Sequence, residues 1–178
     1  DILLPRVASI SHIFVRERRR SMKQRKLPTW LLWILIGLTV LFIFSRSLEH
    51  PASSQKESEA VKEVVEPILA PIVGEENVSD RLVRKLAHFT EFSWLGAELS
   101  ALLWAYRSRR PQAFLNAAIA AVMTALCDET IQIFTERGPQ VQDVWLDIAG
   151  AAFGFAVVIG VRGIACLIAR RCAGHRAG

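Results

Sequence analysis

The sequence predicts an all-α membrane protein with four transmembrane helices and both termini in the cytoplasm. Hydrophobic residues make up 52% of the 178 residues, and charged residues make up a further 22%. This mixture is typical of apolar membrane spans that alternate with charged connections. We expect the spans to be helices, because a helix satisfies its own backbone hydrogen bonds inside the bilayer.

A basic leader, residues 1–28, precedes the first predicted transmembrane helix at residues 29–48. The leader contains the segment RERRRSMKQRK, in which Met22 is an alternative start of the protein. The apolar run WLLWILIGLTVLFIF follows it. We interpret this run as an uncleaved span, because no convincing signal-peptide cleavage site of small residues follows it.

An extracytoplasmic loop, residues 49–80, separates the first span from a core of three further transmembrane helices at residues 81–170. The apolar spacing in ESEAVKEVVEPILAPIV predicts a short amphipathic helix in the loop. Ser79 or Asp80 is the expected N-cap of the next helix. The core helices are predicted at about residues 86–106, 113–134 and 144–169, each near the roughly twenty residues that a bilayer requires. Residues 171–178 form a cytoplasmic tail.

The distribution of basic residues predicts the orientation. The leader, the segment RSRR at 107–110 and the C-terminal arginines lie on one side, whereas the 49–84 segment contains eight acidic residues. The positive-inside rule places the basic side, with both termini, in the cytoplasm. Interfacial aromatic residues fit this topology, with Trp30, Trp33, Trp104 and Tyr106 at the inner interface and Trp145 at the outer one.

The net charge of +5 is therefore explained by membrane topology rather than by nucleic-acid binding. No zinc-finger, helix-turn-helix or RNA-binding motif is present, so we expect no nucleic-acid partner. Cys127 and Cys166 lie in apolar segments, where we expect them to be buried as small hydrophobic residues.

Polar and ionisable side chains interrupt the three core helices at a single level, at their predicted outer ends. An ionised carboxylate two turns inside a bilayer costs several kcal/mol unless it is paired. We therefore predict an outward-facing polar pocket, although ion pairs with a purely structural role would also satisfy these charges. The set comprises Lys85, His88, Glu91, Asp128, Glu129, Gln132, Arg137, Asp143 and Asp147.

Asp143 and Asp147 are four residues apart in the last predicted helix, and Gly150 and Gly154 continue the same face inward. Two small residues at this spacing allow a second helix to approach closely. This face is therefore predicted to be acidic at the outer end and tightly packed below it.

Three motifs in this part of the chain resemble those of the VanZ-like family of bacterial membrane proteins. They are KLAHFTEFSWLG at 85–96, CDETIQIFTERG at 127–138 and VQDVWLDIAGAAFG at 141–154, and the resemblance extends over residues 81–160. Phe92 departs from the pattern, because many relatives have Tyr there. The resemblance implies a multi-pass protein of the bacterial cytoplasmic membrane with a role in the cell envelope. The member that gives the family its name is associated with resistance to the glycopeptide antibiotic teicoplanin.

The residue types of the pocket are suited to chemistry on a lipid-linked envelope substrate. We assign catalytic roles to Asp128 or Glu129 as general base and to His88 as the complementary acid. Lys85 and Arg137 are suited to binding a phosphate or another anionic headgroup.

Glu91, Gln132, Asp143 and Asp147 complete the predicted substrate-binding set. A divalent metal is an alternative occupant of the pocket, because histidine and carboxylate side chains are suitable ligands. Their spacing does not identify a metal, so the sequence assigns no metal ligand and indicates no cofactor.

The sequence does not decide between three functions that belong to different classes. The first is an enzyme that acts on a membrane lipid or lipid-linked envelope precursor at the outer leaflet. The second is a non-catalytic protein that binds or shields such a precursor. The third is a small proton-linked transporter that uses Glu91 and Glu98, for which four helices are few.

Overall fold

A computed structural model of the chain consists, in its described residues, of four long helices without any strand. The described residues are 28–49, 61–62, 64, 66–68, 70–71, 74, 78–108, 110–135 and 140–175. The predicted leader with Met22 lies outside them except for Pro28, and so do Arg137 and the last three residues of the tail. The four helices are α1 (Thr29–Ser47), α2 (Asp80–Ala105), α3 (Pro111–Phe134) and α4 (Val141–His175).

Local sequence signals set the ends of α2. Ser79, one of the two residues predicted for this role, is its N-cap, and the Ser79 hydroxyl oxygen accepts a hydrogen bond of 3.3 Å from the backbone N–H of Leu82. At the other end Arg107 has a φ of 51°, and the Ser108 N–H donates to the Leu103 carbonyl at 3.0 Å. This left-handed turn satisfies the last carbonyls of α2 and reverses the chain toward α3.

The loop that precedes α2 is partly helical. The described residues between 61 and 71 are in helical conformation. Lys62 Nζ lies 3.8 Å from the Asp80 carboxylate, so this segment contacts the first residue of α2.

Three helices are long and apolar enough to cross a membrane: α1, α3 and the part of α4 from Val141 to Ala169. On length and composition α2 does not qualify, and the count of four spans therefore stays a prediction. The reason for its polarity is its position, since α2 packs against α1, α3 and α4. A helix enclosed by others does not need an apolar surface on every side.

Three glycines allow a close backbone contact between α2 and α4. A Cβ atom at Gly150 would lie 2.6 Å from the Phe89 carbonyl oxygen, and a Cβ at Gly154 would overlap the carbonyl oxygen of Ser93. A Cβ at Gly96 of α2 would likewise overlap the carbonyl oxygen of Ala151. The predicted close approach at Gly150 and Gly154 is confirmed, and it brings the acidic end of α4 next to α2.

Apolar side chains cover the outside of α1, α3 and α4, as a lipid-facing surface requires. Leu41, Ile119 and Ile164, one from each helix, are at least half exposed. The prediction that Cys127 and Cys166 are buried was wrong, because both are exposed on this outer surface. In a membrane protein an apolar segment faces lipid as readily as it faces the core.

The two ends of the bundle differ in character. At one end Trp33 Nε1 donates a hydrogen bond of 3.1 Å to the Tyr106 hydroxyl. The Arg162 guanidinium lies 3.7 Å from the ring centroid of Trp104 at the same end. The structure thus brings Trp33, Trp104 and Tyr106, three of the four aromatic residues predicted for the inner interface, to one end of the bundle. The opposite end contains the polar side chains described next.

Candidate functional site

A buried cluster of polar side chains forms where the four helices meet at the polar end of the bundle. We call this the buried cluster, and it contains one side chain from each of α1, α2 and α4 and two from α3. Asp128 is 0% exposed and Asp147 is 1% exposed, so neither carboxylate reaches the protein surface. The members are Ser47, His88, Asp128, Gln132 and Asp147.

Asp128 is held by side chains on both sides. The Ser47 hydroxyl donates a hydrogen bond of 2.5 Å to Oδ1 of Asp128. The Gln132 amide, one turn further along α3, donates to Oδ2 at 3.0 Å. A second contact strengthens the α1–α3 junction, because the Thr135 hydroxyl donates to the Ser47 carbonyl at 3.1 Å. Asp128 is therefore fixed in one orientation.

His88 lies between the two buried carboxylates. Its Nδ1 atom is 3.6 Å from Oδ2 of Asp128 and 3.9 Å from Oδ1 of Asp147. Both distances exceed the roughly 2.7–2.9 Å of a charge-assisted hydrogen bond. Neither carboxylate oxygen of Asp147 has a hydrogen-bond partner among the described residues.

A cavity of about 180 Å³ opens beside the buried cluster, and we call it the cationic cavity. Three basic side chains from the first two turns of α2 line it, and His88 and Gln132 border both the cavity and the cluster. Lys85 Nζ forms an ion pair of 2.8 Å with Asp143 at the start of α4. The lining residues are Arg81, Arg84, Lys85, His88, Gln132, Gln140, Asp143 and Leu146.

An apolar groove of about 610 Å³ runs between α3 and α4, and we call it the seam groove. Leu126 and Ile133 of α3 line it together with Trp145 of α4. Glu129 also borders it, and one Glu129 carboxylate oxygen accepts a hydrogen bond from the backbone N–H of Gln140. Gln140 lines both spaces, so the seam groove and the cationic cavity are neighbours on either side of this residue.

The predicted site residues fall into three groups. The buried cluster contains His88, Asp128, Gln132 and Asp147. The cationic cavity contains Lys85 and Asp143 together with His88 and Gln132, whereas Glu129 lies on the seam groove. Glu91 is partly buried one turn below His88 and is not among the residues that line either space. Arg137 lies outside the described residues.

Sequence reasoning missed Ser47, Arg81, Arg84 and Gln140. A serine at the end of an apolar span carries no signal, because its partner, Asp128, is 81 residues away. Arg81 and Arg84, in contrast, could have been identified from the sequence. They precede Lys85 and His88 by four residues each, which places each pair on one face of the helix.

Glu98 belongs to a separate contact in the middle of the bundle. Its Oε1 atom accepts hydrogen bonds from Thr39 of α1 at 3.1 Å and from Trp94 Nε1 at 2.9 Å. Glu98 therefore ties α1 to α2, and its position does not connect it to the cationic cavity.

Three of the four helices can cross a membrane, and all four meet at the buried cluster. These two features define a helical membrane protein with a polar site at one end. The chain belongs to the VanZ/LLP1 family, whose sequence model matches residues 31–164. This match confirms the resemblance that the three motifs indicated, and it includes every predicted site residue. No curated protein and no solved structure matches the chain significantly.

Proposed function

We propose that this protein binds the phosphate-bearing headgroup of a membrane lipid, or of a lipid-linked envelope precursor, in the cationic cavity. The observation that carries the proposal is the grouping of Arg81, Arg84 and Lys85 on one wall of that cavity. Arginine suits this role because its planar guanidinium can donate two parallel hydrogen bonds to a phosphate.

The position of these cations on α2 supports an anionic ligand. They lie in the first two turns, next to the positive end of the helix dipole, where basic side chains are unfavourable. The cavity lining contains the acidic side chain of Asp143, and this side chain already forms an ion pair with Lys85. A bound phosphate would compensate the remaining positive charge of Arg81 and Arg84.

The seam groove supports a ligand with a lipid tail. It is apolar, lies between two helices that can cross a membrane, and shares Gln140 with the lining of the cationic cavity. A headgroup in the cavity could therefore have its acyl or prenyl chain in the groove. A free phosphate would use the cavity alone.

The positions of Asp128, Glu129 and His88 limit the catalytic roles that the sequence suggested for them. Asp128 is fully buried behind His88 and does not line the cavity. It can act on a headgroup only through His88, as a positioning residue. Glu129 faces the groove rather than the cavity. Of the three proposed catalytic residues, His88 lines the cavity, and this supports a direct contact between His88 and a bound headgroup.

The second candidate function, binding without catalysis, uses the same cavity and the same cations. The carboxylate of Glu98, which the transporter hypothesis requires, is bonded to Thr39 and Trp94 in a contact that joins helices. Binding of an anionic headgroup is thus common to the two hypotheses that the geometry favours.

We further propose that the polar end faces outward from the bacterial cytoplasmic membrane, with α2 as a fourth span. Helix α2 begins with Asp80 at this end, and the acidic 49–84 segment extends into its first turn. The orientation follows from the positive-inside rule.

Native mass spectrometry of the full chain in detergent micelles tests the headgroup proposal, with dioleoyl phosphatidic acid as the probe and EDTA present throughout. We expect Arg84→Gln to weaken binding about tenfold, because a hydrogen bond to a charged group contributes about 1.5–3 kcal/mol. Arg171→Gln is the control, since Arg171 is exposed near the opposite end of α4. Equal binding by the wild type and Arg84→Gln would contradict the proposal.

A tryptophan in the seam groove separates a lipid from a free phosphate. Ile133 is 57% exposed in the groove, so Ile133→Trp should fill the groove without disturbing the core. We expect this variant to lose affinity for phosphatidic acid and to bind inorganic phosphate like the wild type. Unchanged affinity for both probes would point to a cavity that binds the phosphate alone, without a lipid tail in the groove.

Teicoplanin susceptibility supplies a cellular measurement of the envelope role. If the ligand is a peptidoglycan precursor, expression of the wild type should raise the inhibitory concentration of teicoplanin, and Arg84→Gln should lower it again at equal membrane levels. An unchanged concentration with the wild type would remove the link to resistance but not the binding of phosphate lipids.

A further inference from the structure

We infer that His88, Asp128 and Asp147 form a binding site for one divalent transition-metal ion, such as Zn²⁺ or Mn²⁺. The inference does not depend on headgroup binding, because it rests on the geometry of the buried cluster alone. One potential ligand atom from each of the three side chains lies within 4.8 Å of the other two.

The separations fit an ion better than they fit direct hydrogen bonds. His88 Nδ1 is 3.6 Å from Asp128 and 3.9 Å from Asp147, which is too long for a charge-assisted hydrogen bond. Ligand atoms at about 2.1 Å from a tetrahedral ion are about 3.4 Å apart. Shifts of less than about 1 Å would bring these side chains around a metal.

Asp147 supplies an independent indication that something is bound here. Its side chain is 1% exposed, and neither carboxylate oxygen has a hydrogen-bond partner among the described residues. Four nearby carboxylates repel the negative charge of Asp147. They belong to Asp128, Glu129, Asp143 and Glu91. A buried carboxylate in such surroundings can remain ionised only beside a compensating positive charge.

Asp128 has the supporting contacts that a metal-binding carboxylate usually has. Ser47 donates to one of its oxygens and Gln132 to the other, so its orientation is fixed before any ion binds. Such contacts to ligand side chains orient them and tune the affinity for the metal.

The ligand set selects the class of metal. One imidazole nitrogen and two carboxylates suit Zn²⁺, Mn²⁺ or Fe²⁺, whereas Mg²⁺ and Ca²⁺ prefer oxygen ligands throughout. Three protein ligands leave at least one coordination position open. Because His88 and Gln132 also line the cationic cavity, an ion here would add positive charge beneath a bound headgroup.

Metal counting on the purified full chain tests the inference. The protein in detergent is stripped with EDTA, equilibrated with Zn²⁺ or Mn²⁺ in the absence of added lipid, and measured by inductively coupled plasma mass spectrometry. We expect one ion per wild-type chain and at least tenfold weaker binding by Asp147→Asn and His88→Gln. Asp143→Asn should bind like the wild type, because Asp143 lies one turn from Asp147 but pairs with Lys85.

Two features of the chain require controls. Cys127, Cys166 and Cys172 are exposed and can bind Zn²⁺ nonspecifically, but such ions would remain in Asp147→Asn. The difference between the wild type and this variant therefore measures the site. Mn²⁺, which binds thiols weakly, gives a second count.

Thermal unfolding gives a measurement that a misfolded variant cannot imitate. In EDTA, Asp147→Asn should be at least as stable as the wild type, because the substitution removes a buried carboxylate that accepts no hydrogen bond from the described residues. Mn²⁺ should raise the Tm of the wild type and leave that of Asp147→Asn unchanged. Equal metal content in both proteins, or no metal-dependent rise in the wild-type Tm, would overturn the inference. Neither result would affect headgroup binding, which is measured in EDTA.

Discussion

At the scale of single residues, the carboxylate of Asp128 connects three helices. It accepts hydrogen bonds from Ser47 of α1 and Gln132 of α3, and it faces His88 of α2. Because the group is fully buried, each lost hydrogen bond leaves a polar atom without water to replace its partner. Stability and site geometry therefore depend on the same few atoms.

Ser47→Ala should lower the free energy of unfolding by about 1.5–3 kcal/mol, because it removes a hydrogen bond to a buried charged group. Ser45→Ala is a matched control two residues away, since the Ser45 hydroxyl is exposed and donates to the Phe42 carbonyl of its own helix. Unfolding in mixed detergent micelles measures both variants. A similar, small change in the two would show that the contact with Asp128 contributes little.

Glu98→Gln separates a structural role from proton transport. The side-chain carbonyl of glutamine can still accept from Thr39 and Trp94, so we expect unfolding within about 1 kcal/mol of the wild type. Glu98→Leu removes the acceptor and should be clearly less stable. Proton uptake into proteoliposomes, followed with a pH indicator, would instead support the transporter hypothesis if it were present in the wild type and absent in Glu98→Gln.

At the scale of helices, the crossing of α2 and α4 determines the distance between His88 and Asp147. The glycines at 96, 150 and 154 allow the two backbones to touch just below the buried cluster. A wider crossing would separate His88 from Asp147 and would open the cluster.

Gly154→Ala should destabilise the bundle by about 1–3 kcal/mol, because the new methyl group would overlap the Ser93 carbonyl and force the helices apart. Gly163→Ala is the control in the same helix. Its methyl group would have no neighbouring atom within 4 Å, so this substitution should be neutral or slightly stabilising. Unfolding in mixed micelles measures the stability of both variants. Their metal content shows whether the buried cluster has opened. A neutral Gly154→Ala would mean that the helices adjust freely.

At the scale of the whole molecule, membrane topology decides which solution the polar end contacts. Helix α2 has 26 residues, or about 39 Å at 1.5 Å per residue, which exceeds the roughly 30 Å of a bilayer core. The charged residues in its first turns make α2 less hydrophobic than a typical membrane span. Nevertheless, α1, α3 and α4 all pack against it.

Cysteine labelling in cells tests whether α2 crosses the membrane. In a chain with Cys127, Cys166 and Cys172 replaced by alanine, Ser54→Cys and Ser108→Cys introduce thiols before and after α2. A membrane-impermeant maleimide should label Ser54→Cys from outside and should label Ser108→Cys only after lysis. Labelling of both positions from outside would show that α2 does not cross.

The sequence by itself determined the helical class, the positions of the helices and the family. The three long helices that can span a membrane follow from apolar runs, and the α2 N-cap follows from Ser79, because such signals are local. The glycine spacing at 150 and 154 also predicted a close helix contact before the partner was known. These features depend on residues within a few turns of one another.

Only the tertiary structure decided which polar residues share a space. Ser47 and Asp128 are far apart in the sequence, so no local pattern could pair them. Nor could it show that Asp128 lies behind His88 or that Glu129 faces a different groove. Burial and contact depend on how α1, α3 and α4 pack around α2, and that packing brings side chains from all four helices to one end of the bundle.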